Sequence, residues 1–211
     1  MIHQLAQKLA KYLYQELNFN HSREAIIAYG LEILLGGIVK LISFTVIPVI
    51  LGIFSQTWAA VIASTLFRLP AGGSHCTAYY RCLTGSIITF CLIGVLAIIA
   101  ADFLPVNFMF FVAIGMAVLV VAIWVPADTE AKPVTRASAR KKAKIWAYSV
   151  LVIYLSSWYY FEIPKDILLA GTLGLLVQSF TVTPQGYRVM DKLDRLFMIM
   201  SGPLFKKREV I

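Results

Sequence analysis

Length, composition and charge exclude a soluble globular protein. The chain has 211 residues, of which 59% are hydrophobic and 14% charged. Its formal net charge is +8 and its mean hydropathy is +0.77. Because such a chain cannot cover its surface with polar groups, we expect one all-α membrane domain, with room for about six spans of about 20 apolar residues.

The first predicted element is an amphipathic helix at residues 3–17. Leu5 and Leu9 fall near one face, whereas Lys8 lies largely on the other. We therefore predict that residues 1–24 form an N-terminal helix in the membrane interface, either as a simple anchor or to receive an amphipathic peptide. The segment has no continuous apolar run and no small-residue cleavage site, so we predict no cleavable signal.

Six apolar stretches follow and define a membrane domain at residues 25–183. The second stretch has about 13 residues and would reach only about 20 Å as a helix, so it is either a truncated span or part of a re-entrant element. The basic segment 184–211 is predicted to be a cytoplasmic tail. The stretches are 25–53, 57–69, 83–101, 107–125, 145–161 and 166–183.

The positions of Lys and Arg predict the orientation of these spans. Cytoplasmic loops next to spans carry an excess of basic residues. A six-span topology places all of the 19 basic residues on one side except Lys40 and Lys165. We therefore expect both termini and the loop 68–82 to face the cytoplasm.

The same charges indicate a lipid partner and no nucleic acid. The basic clusters lie next to spans, without interleaved aromatic residues or a base-reading motif, so anionic lipid is the expected partner. An acidic peptide tail could use the same field. Small residues allow close helix contact, either within the chain or in a homodimer. These are Gly36, Gly37, Gly171 and Gly174.

Two ionisable residues, Glu32 and Lys40, lie inside the first predicted span. Eight residues of helix put them on similar faces but about 12 Å apart along the axis, so we do not expect a direct pair. Ionisable groups at membrane depth are candidates for substrate contact. The alternatives are that each side chain reaches the interface or meets a neighbouring helix.

The loop 68–82 holds the residues most suited to chemistry. Pro70 is expected to close the preceding helix, and the glycine pair after it, Gly72-Gly73, is expected to let the chain turn sharply. In one continuous helix, His75 and Cys82 would stand about 10.5 Å apart. A base and a nucleophile must approach to about 3–4 Å, so catalysis requires His75 in a folded-back loop and Cys82 on the next helix, whose first turn would stabilise a thiolate.

Other interpretations of this loop remain open on spacing alone. Cys82 could pack as a small apolar residue, and Cys76 could compete as the nucleophile. With His75 these thiols would supply three metal ligands, but their spacing fits no zinc pattern, so we predict no metal and no other cofactor. Cys91 lies within the third span.

Two segments resemble the accessory gene regulator B family of membrane peptidases. The first contains Arg68, Gly72-Gly73, His75 and Tyr80-Arg81-Cys82, and the second is the run from Pro126 to Pro133. The resemblance implies Cys82 as nucleophile and His75 as general base, with Arg68, Gly72 and Gly73 in support. Arg81, Glu32 and Lys40 are candidates for substrate binding. The residue that orients His75 stays open among Ser74, Thr77, Asp128 and Glu130.

The resemblance also implies a reaction. The expected activity is that of a cysteine endopeptidase in a bacterial cell membrane. It would cleave the C-terminal part of a signalling propeptide of the accessory gene regulator D type through an acyl-enzyme thioester. Cyclisation would then give a thiolactone or lactone, the autoinducing peptide precursor of quorum sensing. The alternatives are a small transporter or channel, or a noncatalytic scaffold.

Overall fold

The computed structural model describes residues 2–17, 24–74, 76, 78–127 and 136–200. Across these residues the fold is all-α, as the sequence predicts, and an isolated backbone bridge is the sole β-type pairing. The described ranges contain eight helices, namely α1 (Ile2–Leu17), α2 (Glu24–Ile50), α3 (Phe54–Ala71), α4 (Tyr79–Ala100), α5 (Val106–Trp124), α6 (Ala137–Tyr160), α7 (Lys165–Val182) and α8 (Pro184–Met200).

The chain divides into two compact units, Met1–Ile47 and Pro48–Ile211. The first contains α1 and most of α2. In α1, Leu5 and Tyr12 are exposed, and in α2 large apolar side chains are exposed along most of its length. Exposed apolar surface of this extent fits a lipid environment rather than water.

Within the described part of the chain, four helices are long and apolar enough to cross a membrane, namely α2 from Ala25 onward, α4, α5 and α7. Each of the six predicted stretches falls mostly on one helix, but α3 and α6 do not meet these limits of length and composition. Basic residues in the first eight positions of α6, together with the Tyr, Trp and Ser residues that follow, lower the mean hydropathy of this helix. The length and hydropathy of these four helices are therefore those expected of a membrane protein.

The α3 helix is longer than the predicted stretch 57–69. It has 18 residues, which corresponds to about 27 Å. The expectation that Pro70 closes this helix was wrong, because Pro70 lies inside the last turn. The helix ends instead where Gly72 takes a φ of 77° and its N–H donates a 2.8 Å hydrogen bond to the carbonyl of Arg68.

Helices α3 and α7 form the central pair of the second unit. A Cβ atom on Gly174 would lie 2.4 Å from the carbonyl oxygen of Ala60, so the two backbones meet where a side chain has no room. Gly171 lies against Ala63 on the same interface. These two glycines therefore serve packing within the chain. The α4 helix packs on α3, and α5 and α6 surround the pair.

One end of this unit gathers the termini of six helices. The N–H of Ala127 donates to the carbonyl of Ala71 at 2.8 Å, and Lys144 Nζ donates to the carbonyl of Ala122 at 2.7 Å. The loop after α3, the end of α5 and the start of α6 therefore adjoin. Nearly all described basic residues of the unit lie at this end, whereas Lys165 begins α7 at the other.

The segment 184–211, predicted as a basic tail, begins with a regular helix. The α8 helix has 17 residues and follows α7 after a break at Thr183. Apolar residues recur along it at helical spacing between charged ones, and it packs against α7 and α4. The chain after α7 therefore adds a helix to the end of the bundle that holds the loop 68–82.

Candidate functional site

The loop between α3 and α4 starts with two glycines in conformations that other residues rarely adopt. Gly72 has a φ of 77° and Gly73 a φ of 134°. A Cβ on Gly73 would also lie 2.9 Å from Thr181 Oγ1 and 3.1 Å from Gln178 Nε2. The glycine pair predicted to turn the chain does so here, and Gly73 lets the loop lie directly on α7.

A buried amide on α7 binds both sides of this turn. Gln178 is 2% exposed, and its Nε2 donates to the carbonyl of Gly72 at 2.8 Å. Its Oε1 accepts from Arg68 Nη1 at 2.9 Å, and Arg68 Nη2 donates to the carbonyl of Ser74 at 2.6 Å. Arg68 and Gln178 together thus hold the carbonyl groups of the turn in fixed places.

The loop is also clamped to the last turn of α7. The backbone N–H of Ser74 donates to the carbonyl of Thr181 at 3.1 Å, and its hydroxyl donates to the same oxygen at 3.2 Å. Carbonyl groups in the last turn of a helix have no partner within the helix. Ser74 supplies one, so its hydroxyl serves to hold the loop.

Cys82 lies in the first turn of α4. The helix begins at Tyr79, and the N–H of Cys82 donates to the carbonyl of Ala78 at 3.1 Å, which closes that turn. Cys82 is a free, half-buried cysteine, and the guanidinium of Arg68 lies within electrostatic range of its thiol. The N-terminal turn of a helix and a nearby guanidinium both attract negative charge, such as the charge that develops on a substrate carbonyl during nucleophilic attack.

Several candidate residues lie outside the described part of the chain. They are His75, the predicted base, and Thr77, Asp128 and Glu130, three of the residues considered for orienting it. The segment around Asp128 nevertheless begins at the site, because Ala127 forms a parallel bridge with Gly72. The two segments that carry the family resemblance therefore meet in space although about 50 residues separate them in sequence.

Cys76 is a second free thiol, and it lies within electrostatic range of Cys82. Burial, followed by the nearby Cys82 and Asp194, raises the pKa of Cys76 to about 11, against a smaller opposing effect of Arg81. Such a thiol is protonated at neutral pH and is a poor nucleophile. Its environment suits a packing role.

Arg81 points away from the open surface. Its side chain is 2% exposed, and Nη1 lies 3.2 Å from Asp194 Oδ1 and 3.3 Å from the carbonyl oxygen of Asp194 on α8. Its guanidinium carbon also stands 5.7 Å from the ring centre of Tyr80. The buried position leaves Arg81 little surface with which to touch a substrate.

The other predicted candidates lie apart from this network. Glu32 is half-buried and Lys40 exposed on α2, in the unit Met1–Ile47. Cys91 is buried within α4. Among the residues that the structure describes, no three His, Cys, Asp or Glu side chains are grouped as a metal site requires.

Sequence reasoning missed two residues of the site, Gln178 and Asp194. A signal existed for Gln178, since it is the only amide side chain within the apolar stretch 166–183. Polar groups at such positions are costly without partners, so they usually have a defined contact. Asp194 gave no such signal, because it stands among alternating charges in a segment taken for a solvated tail.

Comparison with known proteins supports the family resemblance of the two segments. Residues 6–182 match the family model described as Accessory gene regulator B. A Clostridium perfringens protein described as AgrB-like is 28% identical over 209 residues, covering 92% of this chain and 97% of its own. Accessory gene regulator protein B of Staphylococcus aureus is 25% identical over 178 residues, covering 84% and 91%. No solved structure matches the chain significantly.

Proposed function

The chain belongs to the accessory gene regulator B family, and we propose that it is a membrane cysteine endopeptidase with Cys82 as nucleophile. Family membership implies a role in quorum sensing and association with a propeptide of the accessory gene regulator D type. The proposed substrate is the C-terminal part of that propeptide. The position of the free Cys82 thiol in the first turn of α4, within electrostatic range of Arg68, is the observation that carries the proposal.

The proposed reaction begins with acyl transfer to the enzyme. His75 takes the proton of Cys82, and Sγ attacks the carbonyl carbon of the scissile peptide bond. The bond between that carbon and the amide nitrogen breaks, and the proton passes to the departing amine. The N-terminal part of the propeptide stays on Cys82 as a thioester, and its C-terminal tail is released.

An internal nucleophile of the bound peptide then resolves the thioester. Its thiol or hydroxyl attacks the same carbonyl carbon, which closes a thiolactone or lactone ring, and Cys82 leaves as the thiolate and regains its proton. Water would compete by hydrolysing the thioester. A half-buried site at the boundary of the bundle favours the internal nucleophile, because it limits access of bulk water.

The charges at this end of the second unit support a cytoplasmic orientation. The candidate site shares this end with basic residues at the start of α6 and on α8, and such residues concentrate on the cytoplasmic side of membranes. They would attract anionic lipid and the acidic tail of a propeptide. The members of the basic group are Arg136, Arg140, Lys141, Lys142, Lys144, Arg188, Lys192 and Arg195.

Glu32 and Lys40 on α2 remain proposals as substrate contacts.

The test is a cleavage assay in lipid vesicles with a candidate propeptide, read by mass spectrometry. The wild type should yield a shortened peptide and a thioester adduct on Cys82, and both Cys82→Ala and His75→Ala should yield neither. The matched control is Cys91→Ala, which removes a thiol buried elsewhere in α4 and should retain cleavage. Unchanged cleavage by Cys82→Ala would refute the assignment, and a wild type that cleaves no propeptide would favour a transporter or scaffold.

A further inference from the structure

A residue beyond the family match reaches the candidate site. The match ends at residue 182, at the last residue of α7, whereas Asp194 lies on α8. Asp194 is 8% exposed and pairs with Arg81, the residue directly before Cys82. A buried arginine needs a counter-charge, because an unpaired charge in a low-dielectric environment has lost its hydration without compensation. The pair therefore links α8 to the first turn of α4.

Two further contacts hold α8 in the place that this pair requires. A Cβ on Gly186 would lie 2.0 Å from the carbonyl oxygen of Phe180, so only glycine lets α8 start this close to α7. Farther along, the ring of Phe197 lies 3.6 Å from the position that a Cβ on Gly85 would occupy. The inner face of α8 thus contacts α4 on both sides of Cys82 in sequence.

The electrostatic environment of the thiols includes the same residues. Asp194 raises the pKa of the Cys76 thiol and Arg81 lowers it. Tyr187 of α8 lies within electrostatic range of Arg68. Charges on the outer face of α8 are exposed and belong to Arg188, Asp191, Lys192 and Arg195. Asp194 is therefore the acidic residue of α8 that faces the site.

We propose that Asp194 is a positioning residue for the peptidase reaction: it fixes Arg81, and through Arg81 it fixes the first turn of α4 and the direction of the Cys82 thiol. This inference rests on the proposed function. It makes α8 part of the catalytic unit, although the helix lies beyond the matched region. Asp194 acts on chemistry through α4, so it should affect turnover more than peptide binding.

The experiment compares Asp194→Asn with Asp191→Asn in the full-length protein in lipid vesicles. Asp191 offers a matched control because it is an exposed aspartate on the same helix. We expect Asp194→Asn to lower kcat at least about tenfold with KM changed less than about twofold, and Asp191→Asn to leave both within about twofold. Asp194→Glu keeps the charge and should recover part of kcat, which also covers the case in which Asp194→Asn does not fold.

A second readout needs no propeptide. The rate at which iodoacetamide alkylates Cys82, measured by peptide mapping, should change at least about threefold in Asp194→Asn and not in Asp191→Asn. Equal alkylation and equal kcat in the two variants would overturn the proposal, as would an Asp194→Glu variant that folds but is no better than Asp194→Asn. If the wild type cleaves no propeptide, the proposed function fails. The alkylation rates then still decide whether Asp194 determines the position of the Cys82 thiol.

Discussion

The side-chain amide of Gln178 donates a 2.8 Å hydrogen bond to the backbone carbonyl of Gly72, 106 residues earlier in the chain. Its oxygen accepts a 2.9 Å hydrogen bond from Arg68. One buried side chain of α7 therefore satisfies polar groups on both sides of the turn that leads to the candidate nucleophile. The geometry of the loop depends on α7 as much as on the loop's own sequence.

Replacing Gln178 should therefore disturb the site and the fold together. Gln178→Leu keeps the volume but leaves the Gly72 carbonyl and the Arg68 guanidinium each without this partner, at an expected cost of about 1–3 kcal/mol. We expect a lower thermal unfolding midpoint and at least about tenfold slower cleavage. The control is Gln185→Leu on the exposed side of α8. Equal unfolding midpoints for the two variants would contradict this role of Gln178.

A second prediction concerns the turn itself. Gly73→Ala adds a methyl group at a φ of 134° and 2.9 Å from Thr181 Oγ1, so the loop must move away from α7. Cleavage should fall at least about tenfold. Gly115→Ala is the control, because a Cβ there meets nothing within 4 Å, and it should retain full cleavage. Normal cleavage by Gly73→Ala would show that the loop tolerates a different path.

The parts of this fold that follow from local sequence were predictable. Apolar runs of about 20 residues give helices because the backbone must satisfy its own hydrogen bonds in lipid. The glycine pair marked the turn, and the start of α4 near Cys82 followed from the polar loop before it. The α8 helix was missed because its amphipathic period is mixed with charges that suit a solvated tail equally well.

The contacts that complete the site could not be predicted in this way. The pairs Gln178 with Gly72 and Arg81 with Asp194 join residues more than 100 positions apart. Both pairs depend on the position of α7 and α8 along the axes of α3 and α4. That distance is set by small-residue contacts such as Gly174 on Ala60, which a single sequence gives no means of pairing.

The interface between α3 and α7 can be tested with two neighbouring glycines. A Cβ on Gly174 would lie 2.4 Å from the Ala60 carbonyl oxygen, whereas one on Gly171 would meet its nearest atom at 3.9 Å. Gly174→Ala should therefore lower the free energy of unfolding by about 1–3 kcal/mol through overpacking. Gly171→Ala should be neutral. Thermal unfolding in detergent measures both, and similar midpoints would mean that the helices separate at little cost.

The last prediction concerns the pH dependence of the two thiols at the site. Burial, with Cys82 and Asp194 nearby, raises the pKa of Cys76 to about 11, so at pH 7 to 8 almost all of this residue is protonated. Alkylation of Cys76 by iodoacetamide should be slow at pH 8 and should accelerate until the pH approaches 11. Cys76→Ser should retain cleavage, because the thiol is not the proposed nucleophile.

The same raised pKa has a consequence for stability. The folded state holds the Cys76 proton more tightly than the unfolded state, whose thiol titrates near its usual value of about 8.5. The contribution of the Cys76 proton to stability is therefore complete below about pH 8.5 and is lost as the pH rises toward 11.

The alkylation of both thiols can be measured in one experiment. Trypsin cuts after Arg81 and places Cys76 and Cys82 on separate peptides, so one mass spectrum reports the alkylation of each. Rapid alkylation of Cys76 at pH 8 would contradict the burial of its thiol and reopen its candidacy as nucleophile.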